Sequence, residues 1–410
     1  MGASGRTYHD PLHGAIALDG ADPVESLLIQ LIDTPAFQRL RRIRQLGPAS
    51  LTFHGAESSR FTHSLGVMAI ARRAFDRIAH VHPRLAPYRA TVLCAALLHD
   101  FGHGPFSHTC EEIFGCHHEH WTVRILNESE PVRRLLDGFD LALLPQIEQV
   151  YHKCHPVPLV WQLVSSQLDC DRLDYLMRDS YFSGASYGKI DLDRIVLALD
   201  FDPLTEQLVV AAKGMAAVEH YLIVRYFMYA QIYNHAKNLT AAWVLEQAFR
   251  RAREMLLADN LAADQTVTAW LQQDCDRLPL DDYLDADDTT FSYHLQRWQR
   301  HPDPVLSDLC RRYGDRDLLK AMDLSELDTT EQAVMLERVQ QWLSDHHYPP
   351  DYYAGLRTTF SSGYTLYQRG IKLLTEQGLV EISDRSPLVK TLTEPWKRTW
   401  LIYPREALES

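Results

Sequence analysis

"LLHDFGHGPFSH", Leu97–His108, sets His99, His103, His108 and Asp100 close together and interrupts them with Gly102, Gly104 and Pro105. The preceding "RATVLCAALL" has apolar residues at helical spacing, and two glycines and a proline cannot continue it. His99 and Asp100 are therefore expected on the last turn of a helix, at an exposed lip where the chain turns away. Neighbours on a helix point about 100° apart, so a His-Asp pair shares a partner only if that partner reaches both, as a metal ion at a helix end does. Alone, the dyad also admits a plainer reading as a helix-terminal histidine beside a capping aspartate.

It does not stand alone. Upstream, "SSRFTHSLGVMAIARRAF" puts His63 in the first turn of another amphipathic helix, next to Arg60; downstream, "LDCDRLDYLMRD" offers Asp169, Asp171, Asp174 and Asp179 along a third. Helical periodicity extends through "VESLLIQLIDTPAFQRLRRIRQL" and through the segment from "AAVEHYLIVRYF" to "FRRAREML", which reads as one or two long helices. Strand signals are confined to "EQLVVAAKG" at 206–214, with weaker ones at "GAIALD" and "KRTWLIYP". A mainly α chain with minor β elements is expected. After about residue 258 the texture turns acidic, with breaks at "HPDP" and "YPPDYY". This divides the chain into a core, 1–258, and a C-terminal, mostly helical region, 259–410, serving as an oligomer contact or a lid.

Composition narrows the function classes. With 410 residues, 46% of them hydrophobic, the chain can bury a sizeable core. A net charge of −13 speaks against general nucleic-acid binding but leaves room for a small anion in a locally basic pocket. No apolar run approaches the roughly 20 residues that a bilayer requires, and no signal segment opens the chain, which points to the cytoplasm. Seven cysteines without a CxxC pair read as free thiols in a reducing compartment. Cys110, Cys116, His117 and His118 offer donors for zinc, although their spacing matches no finger.

The succession His, then His-Asp, then Asp, carried by "YHDPLHGAIAL", "IDTPAFQRLRRIRQLG", "RFTHSLGV", "LLHDFGHGPFSH", "DCDRLDYLMRD" and "RYFMYAQIYNHAK", resembles the HD-domain phosphohydrolases over roughly residues 8–240. Within them it is most similar to the dNTP triphosphohydrolases. The resemblance implies an HD-domain helical core with His63, His99, Asp100 and Asp171 as ligands of a divalent ion, a mixed N/O set suited to Mn, Fe, Zn or Ni and less to Mg. It implies catalytic roles for His103, for the couple His108 and Glu111, and for His118, with His117 and His120 as alternatives in a crowded segment. Arg60, Arg172 and Arg225 would hold phosphates; Tyr175 would meet the sugar and phosphate region, Asp179 and Gln45 the 3′-hydroxyl, and Tyr229 and Tyr233 the base.

The activity so implied is attack of water on the α-phosphorus of a deoxynucleoside triphosphate, releasing nucleoside and inorganic triphosphate. A phosphatase or phosphodiesterase acting on another nucleotide, and a non-catalytic nucleotide sensor, are the competing readings. Asp33, Gln38 and Arg41 coincide with positions that in animal members recognise the guanine of an activating nucleotide at a subunit interface. That would make the protein a regulated homo-oligomer; otherwise "DTPAFQRLRRIRQLG" is an amphipathic helix with its arginines in solvent.

Overall fold

The computed structural model describes residues 5–361, 363–365 and 370–408. Three helices frame the site. Arg60–Val81 starts at Ser59, whose side chain accepts from the Thr62 amide, and packs its buried face on Arg89–Leu98 and on Cys170–Ser183. Asp169 caps the third of these helices by accepting from the Arg172 amide at 2.7 Å, so the aspartate that opens "DCDRLDYLMRD" is spent on the helix end. Gly66 allows the close crossing, because a Cβ there would meet Asp174 Oδ1 at 2.0 Å.

The sheets are small. Strands β1 (Arg6–Asp10) and β2 (Gly14–Leu18) form a hairpin. β3 (Leu199–Phe201) and β4 (Leu208–Ala211) pair antiparallel, and β4 runs parallel to β7 (Lys372–Thr375), beside β8 (Gly378–Glu381). β5 (Lys320–Asp323) and β6 (Gly355–Ser361) flank β9 (Trp396–Tyr403). The chain is mainly α, as its periodicity predicts. No described helix is long and apolar enough to cross a membrane.

Several local expectations need correction. The continuous periodicity of "VESLLIQLIDTPAFQRLRRIRQL" breaks at Asp33: one helix ends at Ile32, Thr34 caps a short one over Pro35–Arg39, and a single 3₁₀ turn follows. Its arginines do not all face solvent, since Arg39 is buried and donates to the carbonyls of Ala286 (2.8 Å) and His103 (2.9 Å). Free thiols are found at five cysteines, whereas Cys116 and Cys275 are joined across 159 residues with their Cα atoms 5.4 Å apart. A seven-cysteine count cannot reveal one such pair, and the pair removes Cys116 from any zinc set. Beyond residue 258 the chain is helical but also holds β5 to β9, and its apolar side chains continue the cluster of the first region.

Candidate metal centre and active site

His99 and Asp100 are not at an exposed lip. The helix stops at Leu98, and the turn that follows swings Asp100 inward until it is 3% exposed. Leaving the helix is what lets both members of the dyad face one point. Gly102 is required just beyond, because a Cβ there would meet the His118 carbonyl at 2.0 Å.

At that point His63 Nε2 is 3.3 Å from His99 Nε2 and 3.0 Å from Asp171 Oδ1, and His99 Nε2 is 3.5 Å from the same carboxylate oxygen. Asp100 stands 3.5 Å from His63 Nε2 and 3.3 Å from His99 Nε2. Atoms each about 2.1 Å from a common ion are roughly 3.0–3.4 Å apart at octahedral to tetrahedral angles. The tautomers agree with this. His63 Nδ1 donates to Asp174 Oδ2 at 2.7 Å and His99 Nδ1 to the Ala96 carbonyl at 2.9 Å, so in each neutral ring Nε2 keeps its lone pair for the centre.

Two such lone pairs facing each other call for a cation between them. Where a proton takes that place instead, burial lowers the His63 imidazole, but hydrogen bonds to Asp171 and Asp174 and the charge of Asp100 outweigh it and raise the group to about 10. The residues present therefore fit a divalent ion. Asp174 is itself locked: His13 Nε2 lies 2.5 Å away on the β1–β2 turn, and the buried Arg178 bridges Asp174 to Asp10.

A second cluster adjoins the first. Glu111 Oε1 lies 3.1 Å from His108 Nδ1 and 2.6 Å from His118 Nδ1, while His103 stacks on His118 with ring centroids 4.1 Å apart. Among the three histidines of "CHHEH" the geometry brings in His118; His117 is largely exposed and 3.9 Å from Glu111, and His120 turns towards Trp121. Burial opposes ionisation of Glu111, yet the hydrogen bonds from His108 and His118 hold its carboxyl far below the usual range. His103 belongs to both clusters, 3.3 Å from Asp100 Oδ1, and burial followed by the charges of Arg60 and His118 keeps it neutral.

Arg60 ties the first cluster to the turn that precedes His108. It donates to Asp100 Oδ2 at 2.7 Å, to Ser107 Oγ at 3.0 Å and to the Gln45 carbonyl at 3.1 Å. Phe106 and Ser107 hold this loop in left-handed backbone, φ 62° and 56°. Asp288 fixes it by accepting from the amides of Phe106 (2.7 Å) and Arg44 (3.0 Å).

His99, Asp100, Asp171, His103, His108 and His118 border a cavity of about 430 Å³, with His63 and Glu111 directly behind them. Gln45, Arg60, Arg172, Tyr175, Asp179, Tyr229 and Tyr233 line it as well, with the last two on a π-helical turn, Tyr229–Tyr233, between Met215–Met228 and Ala236–Leu257. Tyr233 OH donates to Asp179 Oδ2 at 2.9 Å, and burial pushes the Asp179 carboxyl up to about 7. Gln45 Oε1 and Asp179 Oδ1 are buried and find no partner among the described residues. Arg225 stands one layer back, donating to Gln167 at 2.8 Å behind Tyr229. The motifs do not single out Lys153, which lines the cavity, nor His13 and Arg178, which brace it. The pairing of an N-terminal histidine with Asp174 has no sequence signal beyond "DPLHG" itself.

The trio Asp33, Gln38 and Arg41 lies away from the cavity: Asp33 pairs with Arg6, Arg41 donates to Gln38 Oε1 at 2.7 Å, and its guanidinium stacks 3.6 Å over Phe61.

A helical core with a His/His-Asp/Asp centre defines a metal-dependent phosphohydrolase architecture. Residues 60–158 match the HD domain and residues 190–345 the HD associated region. An uncharacterized Bacillus subtilis protein, YwfO, is 35% identical over 98% of this chain and 93% of its own length. A Bacteroides thetaiotaomicron phosphohydrolase superposes with a TM-score of 0.87 at 28% identity, covering 98% of this chain and 100% of that one. The chain belongs to the HD-domain phosphohydrolase family. It is also 30% identical over 63% of its length to the Dictyostelium discoideum homologue of the deoxynucleoside triphosphate triphosphohydrolase SAMHD1, of which it spans 52%.

Proposed function

We propose that the protein hydrolyses deoxynucleoside triphosphates to deoxynucleoside and inorganic triphosphate. One observation carries the reading: the converging His/Asp donors and a separate His–Glu cluster both reach one cavity, through His99, Asp100 and Asp171 and through His103, His108 and His118, and arginines and two unpartnered buried acceptors line it too. His63, His99, Asp100 and Asp171 would hold the metal, which supplies charge neutralisation on the phosphate and acidifies coordinated water.

The chain's own groups divide the remaining work. Water attacks the α-phosphorus as the bond to the 5′-oxygen breaks, and His108 delivers the proton to that oxygen, oriented by Glu111 and backed by His118 and the neutral His103. Arg60 and Arg172 face the phosphates, with Arg225 fixing Gln167 and Tyr229 behind them. Asp179 and Gln45 meet the 3′-hydroxyl, whose single proton goes to one of the two orphaned oxygens; Tyr175, Tyr229 and Tyr233 pack on sugar and base.

The test is product analysis with metal-loaded protein and each dNTP and ribonucleotide. Nucleoside appearing together with triphosphate is expected. Stepwise loss of single phosphates would make the protein a phosphatase, and no turnover with any nucleotide would make it a sensor. Asp33, Gln38 and Arg41 form a proposed activator site on a homo-oligomer. If adding GTP or a dNTP changes neither turnover nor sedimentation, that part is wrong.

A further inference from the structure

The cations around the cavity are not equally free to meet a polyanion. Arg60 is buried against Asp100 at 2.7 Å, and Arg172 is paired with Asp169, so each brings its own neutralising carboxylate. Lys153 also lines the cavity and forms no ion pair among the described residues. It is the cation of that wall whose charge is uncommitted.

Its backbone is equally distinctive. The helix Leu143–Tyr151 ends with Lys153 N donating to the Val150 carbonyl at 3.0 Å and Cys154 N to the Gln149 carbonyl at 2.9 Å. This is the two-bond ending whose left-handed position glycine normally fills. Here a lysine fills it at φ 56°, a conformation disfavoured for a residue with a Cβ.

Position supplies the third observation. Lys153, Ser165 and Arg172 are shared between the catalytic cavity and an adjoining one of about 280 Å³. Arg172 Nε, buried on this wall, has no partner among the described residues. An ammonium, a hydroxyl and an unused guanidinium N–H thus border the passage between two cavities, all of them able to donate to phosphate oxygens.

We infer that Lys153 is a substrate-binding residue that holds the distal end of a polyphosphate tail against the Ser165–Arg172 wall. The left-handed backbone is tolerated because it aims the side chain at that tail. The inference rests on the triphosphate reading above and names the residue that meets the charge lying farthest from the metal donors.

The experiment uses the full-length, metal-loaded protein and inorganic tripolyphosphate as probe, with affinity measured by calorimetry for wild type and for Lys153→Gln, Lys153→Gly and Lys153→Arg. Loss of one charge-assisted contact at a solvent-facing mouth is expected to weaken binding about five- to tenfold in the Gln and Gly variants. The Arg variant should stay within about twofold, and the deficit should shrink as salt is raised. Lys153→Gly should also melt at a higher temperature than wild type, since glycine relieves the backbone. With dNTP as substrate, KM should rise by a similar factor while kcat changes much less.

Tripolyphosphate binding that is absent in wild type, or unchanged in the Gln and Gly variants, overturns the inference even if dNTPs are hydrolysed. Lys153-dependent tripolyphosphate binding without any dNTP turnover would leave the clamp standing and remove the triphosphohydrolase reading instead.

Discussion

The His63 side chain is 0% exposed and has both ring nitrogens engaged, one by Asp174 from behind and one facing His99 and Asp171. At the start of a different helix, the His108 side chain is 68% exposed and is held by Glu111 alone among the carboxylates. The first corner is braced from every side: Asp174 rests on His13 and Arg178, and Asp100 on Arg60. The second can reorient about one acid. On the proposed reading, coordination demands fixed donors and a proton carrier has to approach and withdraw; the contrast in burial matches those two tasks better than residue type does, since both corners are built from histidine and carboxylate.

Substitutions in each corner test that division. Asp171→Ala should have the largest effect, abolishing bound divalent metal by elemental analysis and lowering kcat on the order of a thousandfold or more. Metal retained in full would break the comparison at its base. His108→Ala should lower kcat by roughly a hundred- to a thousandfold while metal content stays at the wild-type level, so equal metal loss in both variants would merge the corners into one. Asp174→Asn probes the bracing itself: metal affinity is expected to fall about ten- to a hundredfold, read by competition with a chelator.

The smallest effect concerns pH. Burial raises Asp179 from 3.8 to about 7, so the fold favours its protonated form. Stability from this group is complete below about pH 4 and declines as pH rises towards 7, at roughly 1.4 kcal/mol per unit. Asp179→Asn should flatten the pH dependence of unfolding free energy between pH 5 and 7; an unchanged slope there would remove the buried proton from the account.

How far the sequence carries can be judged residue by residue. The proposed metal donors come from the family resemblance, and each lies beside a local signal that helped place it: a helix start at Ser59–Arg60, a helix stop before Gly102, and an aspartate-rich helix. What brings them together was not legible, because it depends on where helices cross, as the clearance at Gly66 shows. His13 lies 161 residues from Asp174, and the Cys116–Cys275 pair spans 159, so neither has a local pattern. Arg39 looked like one more solvent-facing member of a basic run, yet it is buried because two distant carbonyls satisfy it. Strands β5, β7 and β8 escaped periodicity because they have four residues each, and β6 because residues 355–360 alternate only between half-buried and exposed.

The two amides from which Asp288 accepts belong to Arg44 and Phe106, next to Gln45 and Ser107, which Arg60 also grips. A chain shortened to end at residue 258 would keep every donor of the metal corner and lose this distant hand on the turn, along with the Ala286 carbonyl that receives Arg39. Ala286 and Asp288 thereby help to hold the loop that carries His103 and His108, and a fragment lacking them should be judged by how well that loop keeps its shape.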